Sequence, residues 1–191
     1  MPPRSSMPTR RNTRLPGWDY RRPGPYAITM CAEHRWHMFG AVVDGEVMLN
    51  GAGRMVELVW QEMPAEFCGV RLGAFVVMPN HFHAVVWLPG DDPVGGPLLG
   101  AVVQRFKTIT TTRYAAQVNA GEWVAFDGRL WQRNFYDHIV RDGDDLDRCE
   151  RYIRANPANW PNDVDRDPER PGGPVIDLVA AAASLTRRPS M

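Results

Sequence analysis

Lysine is nearly missing from this chain: among 22 basic side chains in 191 residues, only Lys107 is not an arginine. The bias fits a GC-rich genome, and it equally supplies planar guanidinium forks that suit phosphate oxygens. Net charge is missing too, since 22 acids balance the 22 bases, so there is no bulk signal for nucleic acid or a membrane surface. Cysteine is scarce. Cys31, Cys68 and Cys149 are far apart and form no CxxC pair, which argues against a disulfide framework or a zinc ribbon and fits a reducing cytoplasm. No run approaches the roughly 18 apolar residues of a transmembrane helix. The opening MPPRSSMPTRRNTR also lacks the apolar centre of a signal peptide. A soluble, intracellular protein is expected. Apolar content is ordinary at 44% hydrophobic, enough for one domain of this length to bury a core.

The neutral total hides a local excess. Residues 1–24 carry six arginines against one acid, Asp19, and read either as a solvated terminus or as an arm laid on a phosphate backbone. β-forming residues after Pro25 predict a strand over 26–31. The stretch from Val42 to Leu49, broken by Asp44-Gly45, predicts a short hairpin. Asn50 is placed to cap a helix over 51–63, with Met55, Leu58, Val59 and Glu62 at helical spacing and Pro64 as its stop. Runs 71–78 and 81–88, parted by Pro79-Asn80, read as two more strands. A helix over 98–117 sets Leu99, Val102, Val103, Phe106 and Ile109 on one stripe and Arg105, Lys107 and Arg113 on its polar face. A strand over 130–136 follows. A helix over 144–156 comes next, opened by acids that suit its positive end and closed by Pro157. Beyond Trp160, residues 161–174 read as linker and 175–185 as a short docking helix. The order β-α-β-β-α-β-α predicts an α+β fold of the ferredoxin-like, or RRM-like, split βαβ type. That is an antiparallel sheet with two helices on one face plus a C-terminal helix. The expected organisation is an arm at 1–24, one domain over 25–160 and a Pro/Gly-rich tail over 161–191.

Function has to come from the site. His81-Phe82-His83 lies inside a strand, where residues two apart share a face. Both imidazoles can then converge on one metal ion while Phe82 packs the other way. The same spacing fits two surface histidines, and also zinc hydrolases. On the last helix Tyr152 and Asn156 are four apart, neighbours on one face. A tyrosine there is either a half-buried aromatic or a nucleophile. With a pKa of about 10, its hydroxyl needs a divalent ion polarising the phosphate before it attacks phosphorus at neutral pH. Asn156 can add an oxygen to that ion, and an N, N, O set with open positions suits Mg²⁺ or Mn²⁺. Tyr136, at a strand end beside His138, is the rival tyrosine; it reads as packing, with His138 as a neighbour of the site.

Four segments together carry a family resemblance: Arg14-Leu-Pro-Gly-Trp-Asp-Tyr20, Val76-Val-Met-Pro-Asn-His-Phe-His83, Trp131-Gln-Arg-Asn-Phe-Tyr-Asp-His-Ile-Val-Arg141 and Tyr152-Ile-Arg-Ala-Asn-Pro157. From about Arg14 to Trp160 the chain resembles the REP-associated tyrosine transposases, a branch of the HUH single-strand DNA transposases. The resemblance implies that His81 and His83 are the metal pair, Tyr152 the nucleophile and Asn156 the third ligand. It implies an enzyme that nicks and joins single-stranded DNA near imperfect palindromes, through a 5′-phosphotyrosine link and a free 3′-OH. Mg²⁺ or Mn²⁺ would be the cofactor and hairpin or single-stranded DNA the partner. The protein would be a monomer or homodimer in a prokaryotic cytoplasm, associated with the nucleoid and with no membrane. Arg14, Arg21, Arg22, Arg105, Lys107, Arg113 and Arg133 are the candidate phosphate contacts, joined by Arg129 and Arg141. Trp18, Tyr20 and Trp131 are candidate platforms for extruded bases. The competing expectation is a domesticated hairpin-DNA-binding protein that no longer transposes.

Overall fold

The structure is a computed structural model and describes residues 15–90 and 96–163. Its elements run β1 (Gly24–Cys31), β2 (Gly40–Val43), β3 (Glu46–Leu49), α1 (Gly51–Glu66), β4 (Arg71–Val77), β5 (His81–Leu88), α2 (Leu99–Asn119), β6 (Tyr136–Ile139) and α3 (Gly143–Asn159). Four strands form one antiparallel sheet in the order β4-β5-β1-β6, while β2 and β3 make a separate ribbon. β5 lies between β1 and β4, so β1-α1-β4 is a βαβ unit split by a third strand. This is the expected α+β, ferredoxin-like arrangement. No helix among the described residues is long and apolar enough to cross a membrane.

Alternation along β5 sorts the two faces of the sheet. Phe82 points into the layer under α1 and α2, where it meets Trp60 and Phe106, with ring centroids 5.1–5.3 Å apart within the trio. All three are fully buried, with Val56, Val59 and Met63 of α1 and Val102 and Val103 of α2 around them. The next residue, His83, points the other way and meets Tyr152 on α3. The apolar core thus sits on one side of the sheet, and α3 covers the other.

Local chemistry sets several boundaries. Asp44 and Gly45 both adopt positive φ at the β2–β3 turn, the geometry that a tight hairpin asks of its two central residues. Asn50 caps α1 as expected: its Oδ1 accepts the Gly53 N–H at 2.8 Å and its Nδ2 donates to the Met38 carbonyl. Gly53 is needed for a second reason. A Cβ there would run into the Phe39 carbonyl oxygen and lie 2.8 Å from Leu49 Cδ2. Gly→Ala inside a helix ordinarily stabilises by about 1 kcal/mol. Gly53→Ala should instead destabilise by about 1–3 kcal/mol, the usual cost of overpacking, read as a lower midpoint in urea unfolding.

Three expectations needed correction. Pro64 and Pro157 do not end their helices; each sits inside, in the final turns of α1 and α3. So close to a C-terminus, a proline forfeits only one backbone bond. The strand expected over 130–136 is a single bridge, Ala32 to Trp131, and the real edge strand is Tyr136–Ile139, paired with Tyr26–Thr29 of β1. The carbonyls of Gln132 and Asn134 are turned toward the Lys107 ammonium at 2.7 and 3.0 Å, so that backbone serves a side chain rather than a ladder. The third expectation, an outward-facing Lys107, fails with it. The arm up to residue 14, Arg14 included, and the helix expected over 175–185 lie outside the described residues.

Candidate active site

Strand register builds the site in rows. His83 on β5 stands opposite Thr29 on β1, and Thr29 stands opposite Tyr136 on β6. One step along the same face, His81 pairs with Cys31; one step the other way, Ala27 pairs with His138. The two imidazoles lie with ring centroids 4.6 Å apart, on one face as the sequence predicts. Both are buried, which the sequence reading did not anticipate. Each is oriented through Nδ1: Asn80 Oδ1 lies 2.8 Å from that atom of His81, and Thr29 Oγ1 lies 2.7 Å from that of His83. Such contacts fix ring orientation and direct metal binding to Nε2.

α3 supplies the opposite wall. It seats closely on β4 because Gly73 lacks a side chain; a Cβ there would lie 2.9 Å from Val85 Cβ and 3.2 Å from Glu150 Oε1. Tyr152, Asn156 and Trp160 follow one another at four-residue spacing along the helix and its exit. The Tyr152 ring packs 5.4 Å from His83, and the Trp160 ring lies 6.0 Å from His81. Asn156 lies between them on the helix, one turn from each. It is buried, and its Oδ1 has no hydrogen-bond partner among the described residues. An orphaned buried amide oxygen one helical turn from the two residues that pack on the imidazoles fits a cation site, because leaving it unsatisfied carries the full desolvation cost. Tyr152 itself is 56% exposed and lines a cavity of about 210 Å³ with Thr29, His83, Tyr136, His138 and Cys149. Tyr136 is not packing. It is 58% exposed and opens onto that same cavity.

A second cluster reaches the cavity through His138 and Cys149. His138 Nε2, Asp145 and Cys149 bring a nitrogen, an oxygen and a sulfur within 4.8 Å of one another. Of these three, the sequence reading set only His138 near the site. Asp145 is already engaged: Oδ2 lies 2.9 Å from His138 Nε2 and accepts the Arg141 N–H, while Oδ1 pairs with Arg148. The His138 contact, then the Arg141 N–H, hold its carboxyl below the usual aspartate range. Burial, reinforced by the Asp145 charge, pushes the Cys149 thiol up and keeps it protonated. The trio ties the start of α3 to β6.

No family model matches the chain. An uncharacterised protein of Haemophilus influenzae is 34% identical over 173 residues, covering 81% of this chain and 91% of that protein. A second Haemophilus influenzae protein, named "Putative REP-associated tyrosine transposase", is 29% identical over 85 residues, 44% of this chain and 48% of that one. A solved REP-associated tyrosine transposase bound to a REP hairpin shares the fold, with a TM-score of 0.52 at 19% identity over 73% of this chain and 70% of that one. In sequence and in fold the chain is similar to REP-associated tyrosine transposases.

The basic residues expected on DNA separate into distinct surroundings. Arg105 and Arg113 of α2 lie across the sheet from Tyr152 and pair with Glu66 and Glu62 of α1, at 2.7 Å each. Arg133 and Arg129 rim a groove of about 480 Å³ between α2 and the segment before β6. Arg22 lays its guanidinium 4.8 Å from the Trp18 ring, and the Arg21 N–H donates to Asp19. Trp131, offered as a base platform, is buried, with Nε1–H donating to Thr110.

Lys107 is buried under the two carbonyls it holds, and burial brings its ammonium down to about 8. An unfolded lysine titrates at about 10.4. Between those values the unfolded chain binds the extra proton, so this group makes stability rise with pH. Lys107→Met should remove that rise and strand both carbonyls, at about 1–3 kcal/mol. Unfolding of the two proteins from pH 8 to 10 should show their stability gap widening.

Proposed function

We propose that the protein is a metal-dependent endonuclease and strand transferase acting on single-stranded DNA at hairpins, with Tyr152 as its nucleophile. The observation that carries this reading is the placement of Tyr152 against His83, with the buried, unsatisfied Asn156 Oδ1 one helical turn away. His81, His83 and Asn156 are the residues that would hold Mg²⁺ or Mn²⁺. Two imidazole nitrogens and an amide oxygen accept either ion and keep positions open for phosphate. When bound, the cation supplies Lewis-acid polarisation of the scissile phosphate and offsets charge on the departing oxygen.

The remaining work belongs to the side chains. Tyr152 Oη attacks phosphorus and loses its proton as the O–P bond forms. The bond from phosphorus to the 3′ oxygen breaks, and that oxygen leaves as a 3′-OH once protonated. The products are a 5′-phosphotyrosine and a free 3′ end. The reverse attack by a 3′-OH joins strands at the same residue. Tyr152 is exposed enough to reach a strand lying over the sheet, and its ring stays oriented by His83. Asn80 and Thr29 hold the imidazoles so that no reorganisation is needed when phosphate arrives. Arg14, Arg21, Arg22 and Arg133 are proposed phosphate contacts that position the strand. The REP hairpin bound by the solved family member makes hairpin DNA the substrate of choice to test. Incubating the protein with a single-stranded hairpin oligonucleotide and Mn²⁺ should give a protein–DNA adduct that survives a denaturing gel, and EDTA should prevent it. Equal cleavage in EDTA would overturn the metal-dependent mechanism.

A further inference from the structure

The chain leaving α3 bends back over the histidine pair. Three residues past Trp160, Asp163 Oδ2 lies 3.8 Å from His81 Nε2; the His81 side chain has no exposure and that of Asp163 only 9%. Asn80 fixes what this contact means. Its Nδ2 donates to the Arg35 carbonyl at 3.2 Å, which turns its Oδ1 toward His81. His81 Nδ1–H therefore donates to Asn80 Oδ1, and Nε2 is the ring nitrogen turned toward Asp163. A carboxylate brought this close to a buried imidazole is stabilised by positive charge, carried by the ring itself or by an ion held between the two atoms. Their separation is too long for a hydrogen bond. It is within reach of two ligand atoms that each sit about 2.1 Å from one shared cation.

Resting on the reading of His81 and His83 as a metal pair, we propose that Asp163 is a further ligand of the same divalent cation. A carboxylate changes the donor set in kind. Two imidazoles and an amide oxygen are neutral, whereas one hard anionic oxygen raises the affinity for Mg²⁺ or Mn²⁺. The ligand also arrives from a different segment. His81 and His83 come from β5 and Asn156 from α3, but Asp163 comes from the short turn after α3, which is seated by Trp160 packing on both His81 and His37.

Mn²⁺ titrated into the DNA-free full chain tests this, by calorimetry together with water-proton relaxation. Wild type should bind one ion. Asp163→Asn, nearly equal in volume, should keep the fold by circular dichroism and weaken binding at least about tenfold. It should also increase relaxation per bound ion, because water takes the position that the carboxylate held. Equal or tighter binding by Asp163→Asn, with unchanged relaxation, would overturn the proposal and leave Asp163 as an ion-pair partner of His81. His83→Ala separates the two claims. If it binds Mn²⁺ as wild type does, the metal pair itself is wrong, whatever Asp163 does.

Discussion

Tyr152→Phe should abolish the covalent adduct while leaving the fold, Mn²⁺ binding and hairpin binding in place. The change removes one oxygen from a ring that is more than half exposed and keeps the face packed on His83. Stability should therefore move by no more than about 0.5 kcal/mol. His81, His83 and Asn156 are untouched, so metal binding should persist. Chemistry should not. Removing a nucleophile costs on the order of 10⁴-fold or more, and a phenyl ring offers phosphorus no oxygen. Mass spectrometry of the wild-type adduct should place the DNA on the peptide that holds Tyr152. Tyr136 is the stringent control, since it is equally exposed and lines the same cavity. Tyr136→Phe should keep most of the activity. Adduct formation by Tyr152→Phe together with its loss in Tyr136→Phe would transfer the nucleophile to the edge strand β6.

His81→Ala and His83→Ala should each eliminate metal-dependent cleavage, and calorimetry should no longer detect the Mn²⁺ site. Their stabilities should both fall, contrary to what two site-facing histidines suggest, because both side chains are buried. His81→Ala leaves a cavity and strands the Asn80 Oδ1 that its ring engages, at about 1–3 kcal/mol. That translates to a melting temperature lower by several degrees, at roughly 2–4 °C per kcal/mol for a domain of this size. Activity must therefore be measured below the midpoint of the variant. A His81→Ala protein that melts like wild type would show that the ring is not packed as described.

What the sequence made legible was what local chemistry determines. Asn50 announces α1 because a capping side chain acts within three residues, and Asp44-Gly45 announces its hairpin because both residues tolerate positive φ. The HxH spacing places two imidazoles on one face because strand alternation is geometric. The segment before β6 was misread because Lys107, some 25 residues earlier, takes carbonyls that its β-forming residues alone would assign to a ladder. Lys107 was misread for the same reason, since a cation at a helical border gives no sign of where its acceptors will come from. Asp163 was invisible. Nothing in a polar stretch after a helix says that one carboxylate folds back onto an imidazole 82 positions earlier.

Phe82 sits between the two imidazoles in sequence and on the opposite side of the sheet in space, held by Trp60 and Phe106. A slip of β5 by one residue against its neighbours would invert all three. Two imidazoles would then enter a dry aromatic layer, and a phenyl ring would land at the proposed phosphate site. The apolar trio is thus the alignment pin of the proposed site. Mutations that loosen Trp60 or Phe106, though they touch no chemical group, are the ones by which this protein would lose aim before it lost its fold.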